Sequence, residues 1–303
     1  VNLNKIYVFT DFDIDGVGSL LMLYWTLGAK PGQIAFKTTT VTNFRREFLN
    51  WLNQNNPNDF DRIYILDLDV SKNSDLVDRE NITIIDHHLS HVKALNNYKL
   101  ATTVIKETTS CSKLIYNTYK DTAKVSQQQK YFIALADDYD CYEFKLKETY
   151  ELNCLYTNTQ KTSTLQRAEI FLQKFYDGFR PFNAQEKAII KDYVDRKDKA
   201  IANLQIFKGK ISIGGKDRNI YGTHGNKFVN EICDYMLNTH PADIVFFVNS
   251  DNSHISFRKN KSCEVDLSKL AAKLCEGGGH EYAAGGKVTD AFLDFTKLLT
   301  PLA

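Results

Sequence analysis

Ile6-Tyr7-Val8-Phe9-Thr10-Asp11-Phe12-Asp13-Ile14-Asp15-Gly16 is the stretch from which the fold of this chain is read. Its first half is β-branched and aromatic, which predicts a buried strand over residues 5–10. Its second half crowds three carboxylates into alternate positions at the strand's carboxyl end. Carboxylates so close repel one another and cost stability unless cations neutralise them. Open α/β sheets place their ligands at that edge. One aspartate there would be an ordinary cap for a helix starting near Val17; three in alternation need a further reason. An EF-hand calcium loop is excluded, because its twelfth position is Met22 where a glutamate is required and a strand precedes it.

A second cluster repeats the arrangement. Ile82-Thr83-Ile84-Ile85 reads as another buried strand and ends in Asp86-His87-His88. One hard oxygen and two imidazoles together suit Mn²⁺, with Mg²⁺, Fe²⁺ or Zn²⁺ as alternatives. Asp67 ends the predicted strand 62–66, and Asp137-Asp138-Tyr139-Asp140 ends a helix predicted over 126–137. His91 reads as a solvated loop histidine, and Asp69 and Asp140 read as solvated loop acids. Two strand-end clusters of oxygen and nitrogen donors point to a two-metal hydrolytic site.

The remaining pattern sets the architecture. Strand-like runs at 5–10, 34–40, 62–66 and 82–85 alternate with helix-like runs at 17–27, 43–53 and 71–79, the signature of βαβ units. Residues 144–204 read as helical, ending in a connector along which Ile190, Val194, Ile201 and Leu204 keep one apolar stripe. Strand signals return at 206–213, 219–222, 244–249 and 254–258, followed by a helix over 267–275 and a glycine cluster at 277–286. The expected class is α/β: an N-terminal mainly parallel sheet flanked by helices, a helical connector, and a smaller C-terminal α/β domain with a mixed sheet. The expected domains are 1–190, including the start of the connector, and 205–303.

Composition narrows the function classes. The 303 residues are 43% hydrophobic and 25% charged, as in a globular protein of two domains. A net charge of +1 announces no nucleic acid, although an acidic site and a basic groove cancel in such a sum. The six cysteines form no C-x-x-C pair and read as reduced intracellular thiols. No run is long enough to span a bilayer and the amino terminus shows no signal-peptide pattern. The expected location is cytoplasmic, with no membrane partner.

Glycines 277, 278 and 279 would let backbone N–H groups approach an anion and form a phosphate nest, with a plain turn as the alternative. They are no P-loop: Glu281 stands five residues before Gly286 and Lys287 is followed by valine. Arg258 offers a bidentate grip on another phosphate, and His280 a bond to a phosphate or terminal hydroxyl.

Taken in order, these motifs resemble the DHH phosphoesterase superfamily with a C-terminal DHHA1 domain, in the branch of RecJ exonucleases and nanoRNase-type hydrolases. The carriers are Asp-x-Asp-x-Asp-Gly, a strand-end Asp, Asp-His-His and a downstream Asp. Ser256-Phe257-Arg258, Val265-Asp266-Leu267-Ser268, Gly277-Gly278-Gly279-His280 and Ala283-Ala284-Gly285 follow. The resemblance implies two divalent ions, Mn²⁺ foremost and Mg²⁺ as alternative. It implies Asp13, Asp15, Asp67 as the bridging acid, His87 and Asp138 as ligands, Asp137 being the alternative to Asp138. Asp86 would orient His87, and His88 would face substrate and attacking water. Phe9 stands where many relatives carry a ligand histidine, and Asp11 is the expected replacement. The implied activity is hydrolysis of single-stranded RNA or DNA, or of short oligonucleotides, to 5′-nucleotides. The alternatives are a phosphodiesterase for cyclic dinucleotides or other small nucleotides, and a non-catalytic nucleic-acid-binding subunit.

Overall fold

The structure, a computed structural model, describes residues 5–159, 163–279 and 281–302. The chain divides into two compact units between Lys191 and Asp192. The first opens with β1 (Ile6–Asp11), α1 (Ile14–Leu27), β2 (Ala35–Thr39), α2 (Val41–Leu52), β3 (Arg62–Leu66) and α3 (Ser74–Val77). β4 (Ile82–Asp86), α4 (Leu89–Val92), β5 (Thr102–Ile105), α5 (Cys111–Tyr119) and α6 (Gln127–Asp140) come next. α7 (Thr149–Asn158), α8 (Thr164–Phe175) and α9 (Ala184–Ala202) follow, and the division between units falls inside α9.

All five strands of this unit are parallel, in the order β2-β1-β3-β4-β5. Parallel sheets are covered on both faces, and every residue of β4 is accordingly buried. Below the sheet Phe9 packs against Phe44, Phe48 and Trp51 with ring centroids 5.2 to 5.8 Å apart. α1 is buried from Ile14 to Trp25. Its entry is tight, since a Cβ on Gly16 would lie 2.3 Å from the Asp11 carbonyl oxygen. The glycine closing the acidic motif thus lets the helix start directly on the strand end.

The second unit contains β6 (Phe207–Ile213), β7 (Lys216–Gly225), α10 (Val229–Thr239), β8 (Ile244–Asn249), β9 (His254–Lys259) and α11 (Leu267–Cys275). β10 (Gly278–Gly279), β11 (Ala283–Lys287), α12 (Asp290–Thr296) and β12 (Thr300–Pro301) complete it. The sheet is mixed, in the order β10-β11-β9-β8-β7-β6-β12, with β7 and β8 parallel. β8 shows the period of two that a doubly covered strand requires. Ile244 and Phe246 join Leu267, Leu274 and Phe292 on one face, whereas Val245 and Phe247 join Ile232 and Met236 on the other.

The expected α/β class and both sheet types are present. Sequence reading missed β5, a short edge strand, and α10. It started α1 three residues late, because Asp13 rather than Gly16 precedes the first helical residue. No helix among the described residues is long and apolar enough to cross a membrane.

Candidate metal centre

Parallel register brings the carboxyl ends of β1, β3 and β4 to one edge, since Thr10 pairs with Leu66 and Leu66 with Ile85. Asp67 follows β3 in a left-handed conformation, φ 57°, and is 3% exposed. Its N–H bonds to the Ile85 carbonyl, which ties the turn to the neighbouring strand. Aspartate tolerates this backbone better than most residues.

Two overlapping groups of potential ligands form here. Asp67, His87 and His88 make one, Asp15, His87 and Asp140 the other, with ligand atoms within 4.8 Å of each other in each group. His87 is common to both. Its Nε2 lies 3.3 Å from Asp67 Oδ1, 3.4 Å from Asp140 Oδ2 and 4.0 Å from Asp15 Oδ2. Its Nδ1 is 3.2 Å from the Thr108 carbonyl oxygen, which must accept. Nδ1 therefore donates to that carbonyl, and Nε2 is the ring atom that faces the carboxylates and could serve as a ligand. Several lone pairs converging at these distances fit a cation between them.

The electrostatics agree. Burial, then the carboxylates of Asp15, Asp13 and Asp140, push Asp67 well above the usual carboxylate range. Burial, then Asp15 and Asp13, raise Asp140 to about 9. Asp11 is lifted to about 7 by burial and by Asp13. Asp15 is fully buried and accepts from Cys111 N at 2.7 Å and Ser112 N at 3.1 Å. It thereby rests on the positive end of α5. Asp13 Oδ1 caps α1 through Gly16 N at 2.8 Å, as the plain reading of the motif expects. Asp11 and Asp13 adjoin the two ligand groups without belonging to either.

Three expectations need correction. Asp86 does not orient His87, because both its oxygens are taken by His88 Nδ1 at 2.7 Å and His91 Nδ1 at 2.6 Å. Burial pushes Asp86 upward, but the two imidazoles outweigh it and hold its carboxyl well below the usual range. The same bond overcomes burial at His88 and raises its imidazole to about 9. His91 is no solvated loop residue: it is fully buried between Asp86 and the Tyr98 hydroxyl, 2.6 Å away.

The third correction concerns α6. Asp138 accepts from Lys145 N at 3.0 Å, Leu146 N at 2.9 Å and Thr149 Oγ1 at 2.5 Å, away from the ligand groups. Asp137 bonds Thr109 Oγ1, Ser110 Oγ and Lys113 Nζ. Asp140 is the acid brought to His87. Helical geometry explains the choice: residues two apart point about 200° away from each other, so Asp138 and Asp140 take opposite faces. The missed signal was that the helix runs on to Asp140. Phe9 lies wholly within the core and takes no part.

In the second unit Arg258 bonds the Phe257 carbonyl and Asn230 Oδ1, both at 2.8 Å. Gly278 and Gly279 pair with Gly285 and Ala284 as an antiparallel hairpin. A Cβ at Gly277 would lie 1.9 Å from the Gly285 carbonyl oxygen, whereas one at Gly278 meets nothing within 4 Å. Gly277 serves a backbone contact, Gly279 a positive φ of 139° within β10 that favours glycine, and Gly278 faces open space. His280 lies outside the described residues.

Residues 5–138 match the model of the DHH family N-terminal domain, and residues 221–300 match the DHHA1 domain. This chain belongs to the DHH family. DHH proteins are metal-dependent hydrolases, and this chain is a DHH-family phosphoesterase. Its fold resembles a pGpG-specific phosphodiesterase from Vibrio cholerae, with TM-score 0.58, 14% identity, and 97% and 96% of the two chains covered. It also resembles an exopolyphosphatase-related protein from Bacteroides fragilis, with TM-score 0.50, 16% identity and coverage of 97% and 91%. RecJ from Thermus thermophilus, in complex with Mn²⁺, matches with TM-score 0.52 and 12% identity, over 96% of this chain but 50% of RecJ. Comparison with curated proteins finds no match.

Proposed function

We propose that this DHH protein is a divalent-metal phosphodiesterase that hydrolyses single-stranded or short oligonucleotides, RNA or DNA, to 5′-nucleotides. The observation that carries the reading is the convergence of Asp15, Asp67 and Asp140 on Nε2 of His87. Asp15, Asp67, Asp140 and His87 would hold two ions, Mn²⁺ before Mg²⁺, with Asp13 and Asp11 adding negative charge beside them. Such ions neutralise charge on a phosphodiester and lower the pKa of water.

The protein's own groups supply the rest. Asp67, whose turn is bonded to β4, keeps the two ligand groups at a set distance. Asp86 holds His88 through Nδ1 and fixes the set of its ring, and His88 is assigned to face the substrate and the attacking water. Asp86 is therefore assigned to His88, and Asp140 replaces Asp138 as the ligand from α6. Arg258 and the open backbone at Gly278 are assigned to phosphate binding on the second unit.

The test is product analysis over time on 5′-labelled RNA and DNA twenty-mers, a linear dinucleotide and a cyclic dinucleotide, with Mn²⁺ or Mg²⁺. Release of 5′-mononucleotides is expected, with Asp67→Asn slower by about 100-fold or more. Cleavage of the cyclic dinucleotide alone would favour the signalling-nucleotide alternative. No turnover of any substrate, together with no cation binding, would leave the non-catalytic one.

A further inference from the structure

The chain has 19 phenylalanines, 16 tyrosines and 2 tryptophans. Among the described residues only Phe12, Tyr142 and Tyr282 are strongly exposed, at 37%, 38% and 53%. All three fall within candidate site segments. Phe12 stands between Asp11 and Asp13, Tyr142 two residues beyond Asp140, and Tyr282 at the turn of the glycine hairpin. Large aromatic rings are ordinarily among the most profitably buried groups, so their concentration here is not a by-product of an incomplete core.

The segment after α6 is also held under constraint. Tyr142 and Phe144 both adopt left-handed backbone, φ 57° and 52°, which bulky side chains take only where surrounding structure imposes it. The imposing group is Asp138, whose carboxylate collects two backbone N–H groups and a hydroxyl from residues 145–149. Phe144 buttresses Tyr142 edge-on at 4.5 Å and Tyr139 at 5.7 Å. Between β1 and α1, the Phe12 carbonyl accepts from Tyr156 OH at 2.5 Å, which pins the Phe12 backbone. Both rings are thus presented on fixed main chain beside a group of acids.

We propose that Phe12 and Tyr142 are stacking platforms for the nucleobases adjoining the phosphate that is cleaved. The inference rests on the phosphodiesterase reading and specifies how its substrate is held. A nucleobase is flat and uncharged, so it stacks on a ring next to carboxylates without electrostatic penalty, and every base has such a face. Single exposed ring faces also suit single bases better than an apolar protein segment, which needs a contiguous patch.

Dinucleotides carrying both bases and the same dinucleotides abasic at one position provide the test. The parent protein should prefer the base-bearing substrate in KM. In Phe12→Ala and Tyr142→Ala that preference should shrink by about 5- to 150-fold, the range for loss of one base–aromatic stack. Tyr142→Phe should retain it. Tyr142→Gly should lose it while raising Tm by about 1–3 °C, since glycine relieves the left-handed backbone; a merely structural tyrosine would not behave so. Equal KM changes on both substrates, or none, would overturn the platform. If the parent cleaves neither substrate, the enzymatic reading fails separately. The platform is then judged by calorimetric binding of a nucleoside 5′-monophosphate against ribose 5-phosphate. A preference lost in Tyr142→Ala supports it, and no preference in the parent overturns it.

Discussion

Asp138 and Asp140 differ by two positions and receive opposite tasks. Asp138 is saturated by donors from residues 145–149, and Asp140 stands 3.4 Å from His87 Nε2. Their amide variants should separate accordingly. Asp140→Asn should weaken Mn²⁺ binding by about 10- to 100-fold with the fold intact, measured by calorimetric titration. Asp138→Asn should lower stability by roughly 1–3 kcal/mol, measured by urea denaturation, with much smaller loss of Mn²⁺ affinity. An exchange of the two outcomes would return the ligand role to Asp138. At this scale the sequence showed which kinds of side chain were available but not their aim. An Asp-Asp-Tyr-Asp run offers three carboxylates, and only helix phase and the position of α5 select among them.

At the scale of elements, α9 begins on a buried charged knot. Glu186 is 1% exposed and accepts from Arg180 at 2.8 Å on both oxygens, from Lys174 Nζ at 3.2 Å and from Asn183 N at 3.0 Å. The Arg180 bonds lower its carboxyl from the ordinary 4.5 to about 2. A carboxylate with a depressed folded pKa adds stability that is complete above the ordinary value and lost as pH falls towards the folded one. Glu186→Gln should therefore cost stability at pH 7, on the order of 1.5–3 kcal/mol. The gap to the parent should close between about pH 4.5 and 2, a range set by the two pKa values. A constant gap across acid denaturation series would contradict this. Element existence was largely legible: the alternating β-branched runs predicted β1, β3 and β4, and Ser126-x-x-Gln129 forms the capping box of α6. Lengths were less so: the four β-branched residues of β5, Thr102-Thr103-Val104-Ile105, make too short a run to stand out, and the last turn of α6 is the acid-rich Asp137-Asp138-Tyr139-Asp140, which reads as a helix end.

Across the whole molecule, the carboxylate group is a source of repulsion that the amino-terminal unit carries for function. Divalent cations should relieve it. At a Mn²⁺ concentration near a hundred times Kd, the stabilisation is about 2.7 kcal/mol. That corresponds to a rise of roughly 5–10 °C in the Tm of the unit holding the acids. A chelator should reverse the rise in calorimetry, and an unchanged Tm would count against cation binding at these residues. By itself the sequence determined the α/β class and the placing of acids and histidines after strands, since hydrophobic period and residue chemistry are local properties. Only tertiary structure decided that Asp86 serves His88 and His91, that Thr108 rather than Asp86 orients His87, and that Asp140 faces the group while Asp138 shapes a loop. Those assignments depend on strand register and helix phase, which bring together residues whose spacing along the chain carries no record of their meeting.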